Sequence, residues 1–446
     1  MPSMPPSRAP RRFLGWDTVV GGATVQFLQT ALVYQSFGVY LVAWGSELGW
    51  SRSAASAGYA MITVAAATLG LAQGRLMERF GVRAMVRLGL VGTALGLWAL
   101  SSVGDLRSFY AAMALLGVGL ACAGYLPLTA AIVPWFRARR STALALMQLG
   151  ISAAGVAVPF VAGAIDEHGW RTAARASAVC FAVAAVPLTV LIRRSPEAYG
   201  QRPDGALGPT AGPRRRVRVA QADDEDRDAF TVREAVRTRS FWTLSLAQAG
   251  AMLVVNAVSV HLVAHAVDTG ATLPRAAALV TVVTLASGIG HVVGGPLGDR
   301  FPKRTVVAGA MLAHAAALAG LVAATAFPVI VVCAAVHGAA WGVRSPVATS
   351  MLADYFGTRR FASIMGASMA VFLIGQLVGP VAAGWVADAT GSYRGAFTGL
   401  AVAAVASAFG YLAARPPSPP RSPNRVAGAT AAATEAEPGL LGGERR

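Results

Sequence analysis

Charged residues are scarce in this chain, and acidic residues are scarcer than basic ones. Of 446 residues, 13% are charged, and 21 Asp and Glu stand against 38 Lys and Arg. Soluble domains carry roughly 25% charged residues, so the two or three soluble domains that the length would allow are excluded. The net charge of +17 does not indicate a nucleic-acid partner, because the arginines lie between apolar blocks, as in loops at a membrane surface.

Cysteine and the motifs of catalysis are also nearly absent. Cys122, Cys180 and Cys333 lie far apart inside apolar blocks, a spacing that excludes a disulfide framework and a cysteine metal site. The sequence has no nucleotide-binding motif, and its apolar blocks hold no nucleophile–base pair. We therefore expect no metal, no cofactor and no enzymatic activity.

What the sequence does have is long apolar blocks, each close to the 20 residues that cross a bilayer as a helix. The blocks cover 19–44, 54–74, 84–104, 108–134, 141–164, 172–192, 241–266, 276–298, 305–326, 328–353, 362–387 and 395–414. They predict an all-α membrane protein with twelve transmembrane helices in two six-helix repeats. The first block is too long for the apolar region of a cleavable signal peptide.

Composition divides the chain into five segments. They are a disordered N-terminal segment (1–14), a six-helix bundle (15–192), a cytoplasmic linker (193–240), a second bundle (241–414) and a disordered tail (415–446). The linker holds a basic run, an acidic run and a short amphipathic helix near Thr231–Arg239. One set of loops is richer in arginine than the other, which predicts a multi-pass inner-membrane protein with both termini in the cytoplasm.

An internal repeat relates the two bundles. The pattern formed by Gly74, Glu78, Arg79 and Arg83 is repeated 221 residues later by Gly295, Asp299, Arg300 and Arg304. The pair Trp135-Phe136 before two arginines returns as Tyr355-Phe356, and Pro159 with Gly163 returns as Pro380 with Gly384. Such duplication is typical of secondary transporters, in which the substrate binds between the halves near the bilayer midplane.

These motifs resemble the major facilitator superfamily, whose signature loop is similar to the repeated acid–arginine pattern. Other stretches resemble its monocarboxylate-transporter and oxalate/formate-antiporter branch. They are Ser36–Tyr40, Gly49–Ser53, Trp135-Phe136 with the double arginine, Asp166 with Gly169–Arg171, and Phe230–Trp242. The resemblance covers nearly the whole chain and implies alternating access of a small molecule between two halves.

The acid–arginine loops are candidates for a gate, because a carboxylate at a helix end can cap a neighbouring helix N-terminus. The predicted gating residues are Glu78, Arg79, Arg83, Asp299, Arg300 and Arg304. The alternative is that the arginines only hold these loops on the cytoplasmic side.

The charged residues of the branch are missing. The resemblance places Gln35 where monocarboxylate transporters have a Lys in the first span, and it places Ser287 and His291 where they have Asp and Arg. The eleventh block has no Lys, unlike oxalate/formate antiporters. A family-type proton symport cycle and oxalate specificity are therefore not supported by these positions.

Arg344 is the main candidate for a substrate site. An ionisable residue inside a membrane span costs about 2.5–3.5 kcal/mol on insertion scales and indicates function. Arg344 lies near the middle of the tenth block, and every Asp and Glu lies in a loop, a tail or a span end. A guanidinium matches a carboxylate through two parallel hydrogen bonds. The alternative is a structural arginine bonded to carbonyls of a helix broken near Pro346.

Helical spacing adds further candidates. His337 and Trp341 share a face with Arg344, and Ser287 shares one with His291. Gln26 and Gln29 share a face with Phe37 in the first span, and Asn256 shares one with Gln248 in the seventh. Each could also be a packing residue or join helices by hydrogen bonds.

The residues together predict a secondary transporter of a small organic anion, a monocarboxylate, that works by alternating access. The expected partners are this substrate and the lipid bilayer, with no nucleic acid. Coupling to protons or to a counter-transported anion stays open. Two alternatives remain, an efflux transporter of lipophilic or drug-like compounds and a non-transporting receptor.

Overall fold

The computed structural model of the chain describes residues 12–50, 52–205 and 230–418. All regular elements in these ranges are helices. The first half contains α1 (Gly15–Gln29), α2 (Phe37–Leu48), α3 (Arg52–Phe80), α4 (Val82–Leu100), α5 (Leu106–Cys122), α6 (Tyr125–Ile132), α7 (Arg140–Ala153) and α8 (Val158–Leu191). The predicted disordered segments 1–14 and 415–446 fall almost wholly outside the described residues, as do linker residues 206–229.

The second half begins after a very short helix. This helix is α9 (Val232–Ala235), and the long ones are α10 (Arg239–Asp268), α11 (Leu273–Arg300), α12 (Lys303–Ala323), α13 (Phe327–Phe356), α14 (Phe361–Thr390) and α15 (Tyr393–Ala413). The predicted amphipathic helix is thus only four residues long. Thr231 and Glu234 cap it reciprocally, and the bond from the Thr231 backbone N–H lowers the pKa of Glu234.

The long helices are membrane helices by length and composition. Nine helical stretches of the described residues could cross a membrane, or ten if the bent pair Ala57–Gly70 and Ala72–Phe80 is one span. The predicted all-α class is therefore confirmed, while the number twelve stays a prediction. Helix α8 contains the end of the predicted block 141–164 and nearly all of the block 172–192, and the kink between them is at Gly169, where φ is 78°.

The first predicted span is not one regular helix. Helix α1 continues into a π-helical turn at Thr30–Tyr34, where the backbone N–H of Gln35 donates to the carbonyl of Thr30 at 2.8 Å. A π turn holds more residues than an α turn. It therefore rotates α2 relative to α1, and the regular 3.6-residue spacing that put Phe37 on the face of Gln26 and Gln29 does not hold across it.

Glycines set the spacing between α11 and α13. A Cβ on Gly342 would lie 2.1 Å from the carbonyl oxygen of Ser287, and one on Gly338 would lie 2.3 Å from that of Val283. Since no side chain fits there, the two backbones touch, as small residues allow in membrane bundles. This contact holds Ser287 and His291 beside the segment of α13 that carries Arg344.

The two halves also meet at glycines, and these are the first residues of the repeated pattern. A Cβ on Gly74 would lie 2.6 Å from the Cα of Ser363, and one on Gly295 would lie 2.7 Å from the Cα of Thr142. We call this end of the bundle, with the loops around residues 81, 138, 301 and 358, the arginine-rich end. The repeat thus corresponds to a packing contact made twice between the halves.

Candidate functional site

Arg344 lies deep inside the second half. It is the eighteenth residue of α13, so its Cα is about 26 Å from one end of that helix and about 18 Å from the other. Its solvent exposure is 0%. A guanidinium at this depth is too far from either helix end to reach the surface by extending its side chain.

Side chains from two other helices hold the guanidinium. Its Nη1 donates to Gln248 Oε1 on α10 at 2.7 Å and lies 3.3 Å from the Tyr411 hydroxyl on α15. The Tyr411 hydroxyl donates to the same Gln248 oxygen at 2.6 Å. The guanidinium carbon also lies 4.8 Å from the ring centroid of Trp341, within the range of a cation–π contact.

The donors of Arg344 are only partly used. Its Nε and Nη2 are buried and have no hydrogen-bond partner among the described residues. The ion pairs of the same part of the chain include none with Arg344. A buried charged donor without a partner is costly, so Nε and Nη2 are the atoms through which this residue can still bind an anion.

The alternative interpretation, a structural arginine bonded to carbonyls of a helix broken near Pro346, does not match the structure around Arg344. Helix α13 continues through Pro346 without a non-helical residue. Within the described residues, the hydrogen bonds of Arg344 go to side chains and not to backbone carbonyls.

His337 lies on α13 two turns before Arg344, but it faces another histidine. Its Nδ1 is 3.0 Å from the Nδ1 of His314 on α12, and the rings meet edge to face. Both side chains are buried, with 2% and 0% exposure. His314 was not among the candidates from the sequence, although a count of ionisable residues in the apolar blocks would have found it.

Ser287 and His291 lie where the two halves touch. Ser152 of α7 lies 3.2 Å from the Ser287 hydroxyl and 3.4 Å from the Nδ1 of His291, and the Nε2 of His291 is buried without a partner in the described chain. Two further bonds cross between the halves nearby, from Ser345 to Gln148 and between Tyr125 and Thr349. Ser345 directly follows Arg344 on α13, and Thr349 lies five residues after it.

Two of the three amide candidates donate hydrogen bonds within their own half of the protein. Gln29 donates to the carbonyl of Leu120 at 3.2 Å, within the first half, and Asn256 donates to Met252 of its own helix at 2.9 Å. Gln26 is buried in α1 with 5% exposure. The structure does not bring these three side chains into contact with Arg344, whereas Gln248, from the same helix as Asn256, does contact it.

A narrow cleft in the second half reaches the two side chains that bond to Arg344. Its lining residues include Gln248, Thr349, Ser368 and Tyr411 together with apolar side chains. Gln248 and Tyr411 are also the two partners of Arg344. No three His, Cys, Asp or Glu side chains in the described ranges lie close enough to hold a metal ion.

The acids of the repeated pattern both bond across the halves. Asp299 accepts hydrogen bonds from the backbone N–H groups of Ser141 and Thr142 at 2.8 and 3.0 Å and from the Thr142 hydroxyl at 2.6 Å. These donors form the first turn of α7. Glu78 pairs with Arg360 and accepts from the Ser363 hydroxyl, at the start of α14.

A third inter-half connection at the arginine-rich end has no counterpart in the repeat. The carboxylate of Asp354 binds both Arg140 of the first half and Lys303 of the second. The sequence did not single out this residue. Its signal is weak, because a carboxylate at a helix end is common.

The four arginines of the predicted gate differ from the acids. Arg79, Arg300 and Arg304 are exposed at the arginine-rich end, and Arg79 lies 5.3 Å from the Phe80 ring. Arg83 is half-buried and its Nε has no partner in the described chain. In the described part of the chain the acids, and not these arginines, therefore form hydrogen bonds or ion pairs with the opposite half.

Comparison with known proteins gives the family. The model of the Major Facilitator Superfamily matches residues 23–272 and, a second time, residues 244–441. Monocarboxylate transporter 13 of Bos taurus is 29% identical over 401 residues, which cover 86% of this chain and 85% of the relative. Monocarboxylate transporter 11 of Homo sapiens is 26% identical over 342 residues, which cover 72% and 66%.

Solved structures agree on the fold. The E. coli fucose:proton symporter superposes with a TM-score of 0.67 at 17% identity, covering 89% of this chain and 98% of the symporter. The human organic anion transporter MFSD10 superposes with a TM-score of 0.67 at 15% identity, covering 91% and 100%. The duplicated helical bundle, the repeated glycine–acid contact and the match of the family model to both halves together show that the chain belongs to the major facilitator superfamily, as a monocarboxylate transporter-like secondary transporter of the membrane.

Proposed function

We propose that the protein carries a small organic anion, a monocarboxylate, and that Arg344 binds the carboxylate. The observation that supports this most is the buried guanidinium with two unpartnered donor atoms and no carboxylate paired with it in the described chain. A carboxylate would satisfy Nε and Nη2 through the two parallel bonds that suit a guanidinium. Gln248 and Tyr411 keep the guanidinium in place through Nη1.

The other candidates take supporting roles in this proposal. Trp341 already packs on the guanidinium and would pack on the apolar end of a small acid. His291 and Ser287, at the contact between the halves, would sense whether the halves are closed around a substrate. The relatives named monocarboxylate transporters support the same substrate class, although the charged positions of that branch are replaced in this chain.

The efflux of lipophilic compounds is the second candidate function. It is favoured by the apolar character of the cleft beside Gln248 and Tyr411, which includes Leu244, Leu352, Met365 and Phe372. It accounts less well for the charge of Arg344, because a neutral or cationic compound does not neutralise a buried guanidinium as a carboxylate does.

Uptake by proteoliposomes distinguishes these functions. We expect saturable uptake of at least one of labelled acetate, lactate and benzoate, which share a carboxylate and differ in apolar size, and no competition by a lipophilic cation dye. Protein-free liposomes correct for passive entry of the neutral acids. Saturable dye transport without uptake of any of the three acids would instead support efflux, and binding without flux would support a receptor.

We further propose that Asp299 and Glu78 hold the arginine-rich end closed, and that this end faces the cytoplasm of the inner membrane, with both termini. A carboxylate at the first turn of a helix satisfies backbone donors and interacts favourably with the helix dipole. Asp299 meets α7 in this way, and Glu78 meets the start of α14. These bonds would break when the carrier opens on this side.

The two acids are expected to contribute unequally. Asp299→Asn should increase the population open at the arginine-rich end by roughly tenfold, because the bonds that Asp299 accepts are charge-assisted, each worth about 1.5–3 kcal/mol. Glu78→Gln should change it less than about fivefold, since exposed ion pairs contribute about 1 kcal/mol or less. Distances between spin labels at Phe80 and Phe301, both exposed at this end, measure the population. A larger effect of Glu78→Gln would contradict the proposal.

A further inference from the structure

A pocket lined by four arginines lies in the first half, at the arginine-rich end. It encloses about 630 Å³ between the turn that joins α3 to α4 and the segment that follows α8. The four are Arg79, Arg83, Arg87 and Arg194. Within the described residues, no Asp or Glu lines this pocket, and none of the four arginines forms an ion pair. The pocket therefore presents positive charge that no carboxylate of this part of the chain neutralises.

Hydrogen-bond donors in and beside this pocket also lack partners. The Nε of Arg83 and the Nε of Arg193 are buried, and neither bonds to another described residue. The Arg193 guanidinium lies 5.2 Å from the ring centroid of Tyr199, which lines the pocket. Helix α4 begins at the pocket after Gly81, without a side-chain cap, so the N–H groups of its first turn add further donors. A phosphate group has enough acceptor oxygens to bind several of these donors at once.

Two apolar surfaces run from this pocket along the spans. On α4, every third or fourth residue is an exposed apolar side chain, in the order Leu88, Val91, Leu95 and Trp98. On α8, the exposed valines 179, 183, 186 and 190 are spaced in the same way. The two helices pack against each other, and α8 ends at Leu191, three residues before Arg194. Exposed apolar faces on spans of this length are surfaces for acyl chains.

Arg87 connects the pocket with the apolar surface of α4. It is exposed, lines the pocket, and lies one helical turn before Val91 on the same face. As the sixth residue of α4, its Cα lies about 7.5 Å from the start of the helix. An arginine on a lipid-facing surface at this depth extends its guanidinium toward the headgroup layer. A ligand that reaches Arg87 from the bilayer is therefore one with a headgroup and acyl chains.

We propose that this pocket binds the phosphate of an anionic phospholipid from the leaflet at the arginine-rich end. The phosphate lies among the four arginines, and the acyl chains lie on the exposed surfaces of α4 and α8. Basic pockets between membrane helices recognise anionic headgroups in this way. The same charges could attract a soluble phosphate ester, but such a ligand would leave the apolar surfaces that adjoin the pocket without a role. The lipid is thus a partner of the first half, whereas Arg344 lies in the second.

The second half lacks an equivalent site. Arg300 and Arg304 stand where the repeat places Arg79 and Arg83, but Ala308 stands at the position of Arg87. Ala308 is buried, with 2% exposure. The second half therefore supplies a matched control, because it carries two exposed arginines at the same end without the lipid-facing one.

Native mass spectrometry of the full chain in detergent tests the proposal. The protein is titrated with dioleoylphosphatidylglycerol, which is anionic, and with dioleoylphosphatidylcholine, whose choline cancels the phosphate charge. We expect the native protein to bind its first phosphatidylglycerol at least about fivefold more tightly. Two basic side chains near a membrane surface contribute about fivefold each, so the double variant Arg83→Gln with Arg87→Gln should bind this lipid about 25-fold more weakly. The control, Arg300→Gln with Arg304→Gln, should bind it like the native protein.

Three results would overturn the proposal. They are equal affinity of the native protein for the two lipids, an equal loss in the control variant, and displacement of phosphatidylglycerol by an excess of glycerol 3-phosphate. The second would show that only the total charge of this end matters, and the third would assign the pocket to a soluble phosphate ester. If the double variant does not fold, Arg87→Gln alone, at an exposed position, should lose about fivefold. The measurement needs no substrate, so its outcome is independent of the proposed anion function.

Discussion

Replacing Arg344 with alanine is expected to lower kcat/KM for carboxylate uptake about 100-fold. Two charge-assisted hydrogen bonds from Nε and Nη2 would be lost, each worth about 1.5–3 kcal/mol, and a 100-fold change corresponds to about 2.7 kcal/mol. The fold should survive this change, because Gln248 and Tyr411 remain bonded to each other at 2.6 Å when the guanidinium is removed. Uptake in proteoliposomes at several substrate concentrations measures the loss.

Two further variants show whether uptake depends on the planar geometry of the Arg344 guanidinium or only on its positive charge. Arg344→Lys keeps the positive charge but has a single point of contact in place of the planar fork, so we expect an intermediate loss of about tenfold. Arg107→Ala removes an exposed arginine far along the chain from the site and should leave uptake unchanged. If Arg344→Ala elutes as a folded protein and transports the acids within threefold of the native rate, Arg344 does not bind the carboxylate.

Adding one methyl group at Gly295 is expected to open the arginine-rich end. The new Cβ of Gly295→Ala would lie 2.7 Å from the Cα of Thr142, so α11 and α7 must separate. Asp299 lies one turn further along α11, and its bonds to Ser141 and Thr142 require the close approach. Overpacking costs about 1–3 kcal/mol, which shifts a two-state equilibrium by roughly fivefold to 150-fold. Spin labels at Phe80 and Phe301 should show a new population at longer distance.

The chain offers a matched control for this substitution. A Cβ on Gly309 in α12 would meet nothing within 4 Å, so Gly309→Ala adds the same methyl group without a clash. Gly74→Ala, with its Cβ 2.6 Å from the Cα of Ser363, should behave like Gly295→Ala because it makes the equivalent contact. Distance distributions that are the same for Gly295→Ala and Gly309→Ala would show that the glycine contact does not control the closed state.

The helical membrane architecture could be predicted from the sequence because each helix is determined by the residues within its own segment. Apolar blocks of bilayer length predict membrane helices. The repeated glycine–acid pattern predicts that the same structural contact is made once in each half. The π-helical turn at Thr30–Tyr34 was not predicted, since nothing in its apolar sequence distinguishes it from a regular turn. Because this turn lies between Gln29 and Phe37, the prediction from helical spacing that Phe37 shares a face with Gln26 and Gln29 does not apply.

The candidate site was only partly accessible. Arg344 stood out because an ionisable side chain in a span is rare, and Trp341 followed from helical spacing. Tyr411 did not, because its role depends on which helices pack together, and spacing within one helix contains no information on that. His314 could have been found as an ionisable residue in a span, but its contact with His337 could not. His337 was placed on the correct helix, but only the packing of α12 against α13 shows that its ring faces His314.

The double glycine contact has a consequence for how such a carrier can diversify. The parts that the two copies of the ancestral unit still share are those that make them fit together, at Gly74 and Gly295. The unusual chemistry, Arg344 with its histidine neighbours, has no equivalent in the first copy, where Gly124 stands at the position of Arg344. Selectivity for a new cargo can therefore change by substitutions in one copy alone, while the glycine contacts between the halves, inherited from the duplication, stay the same.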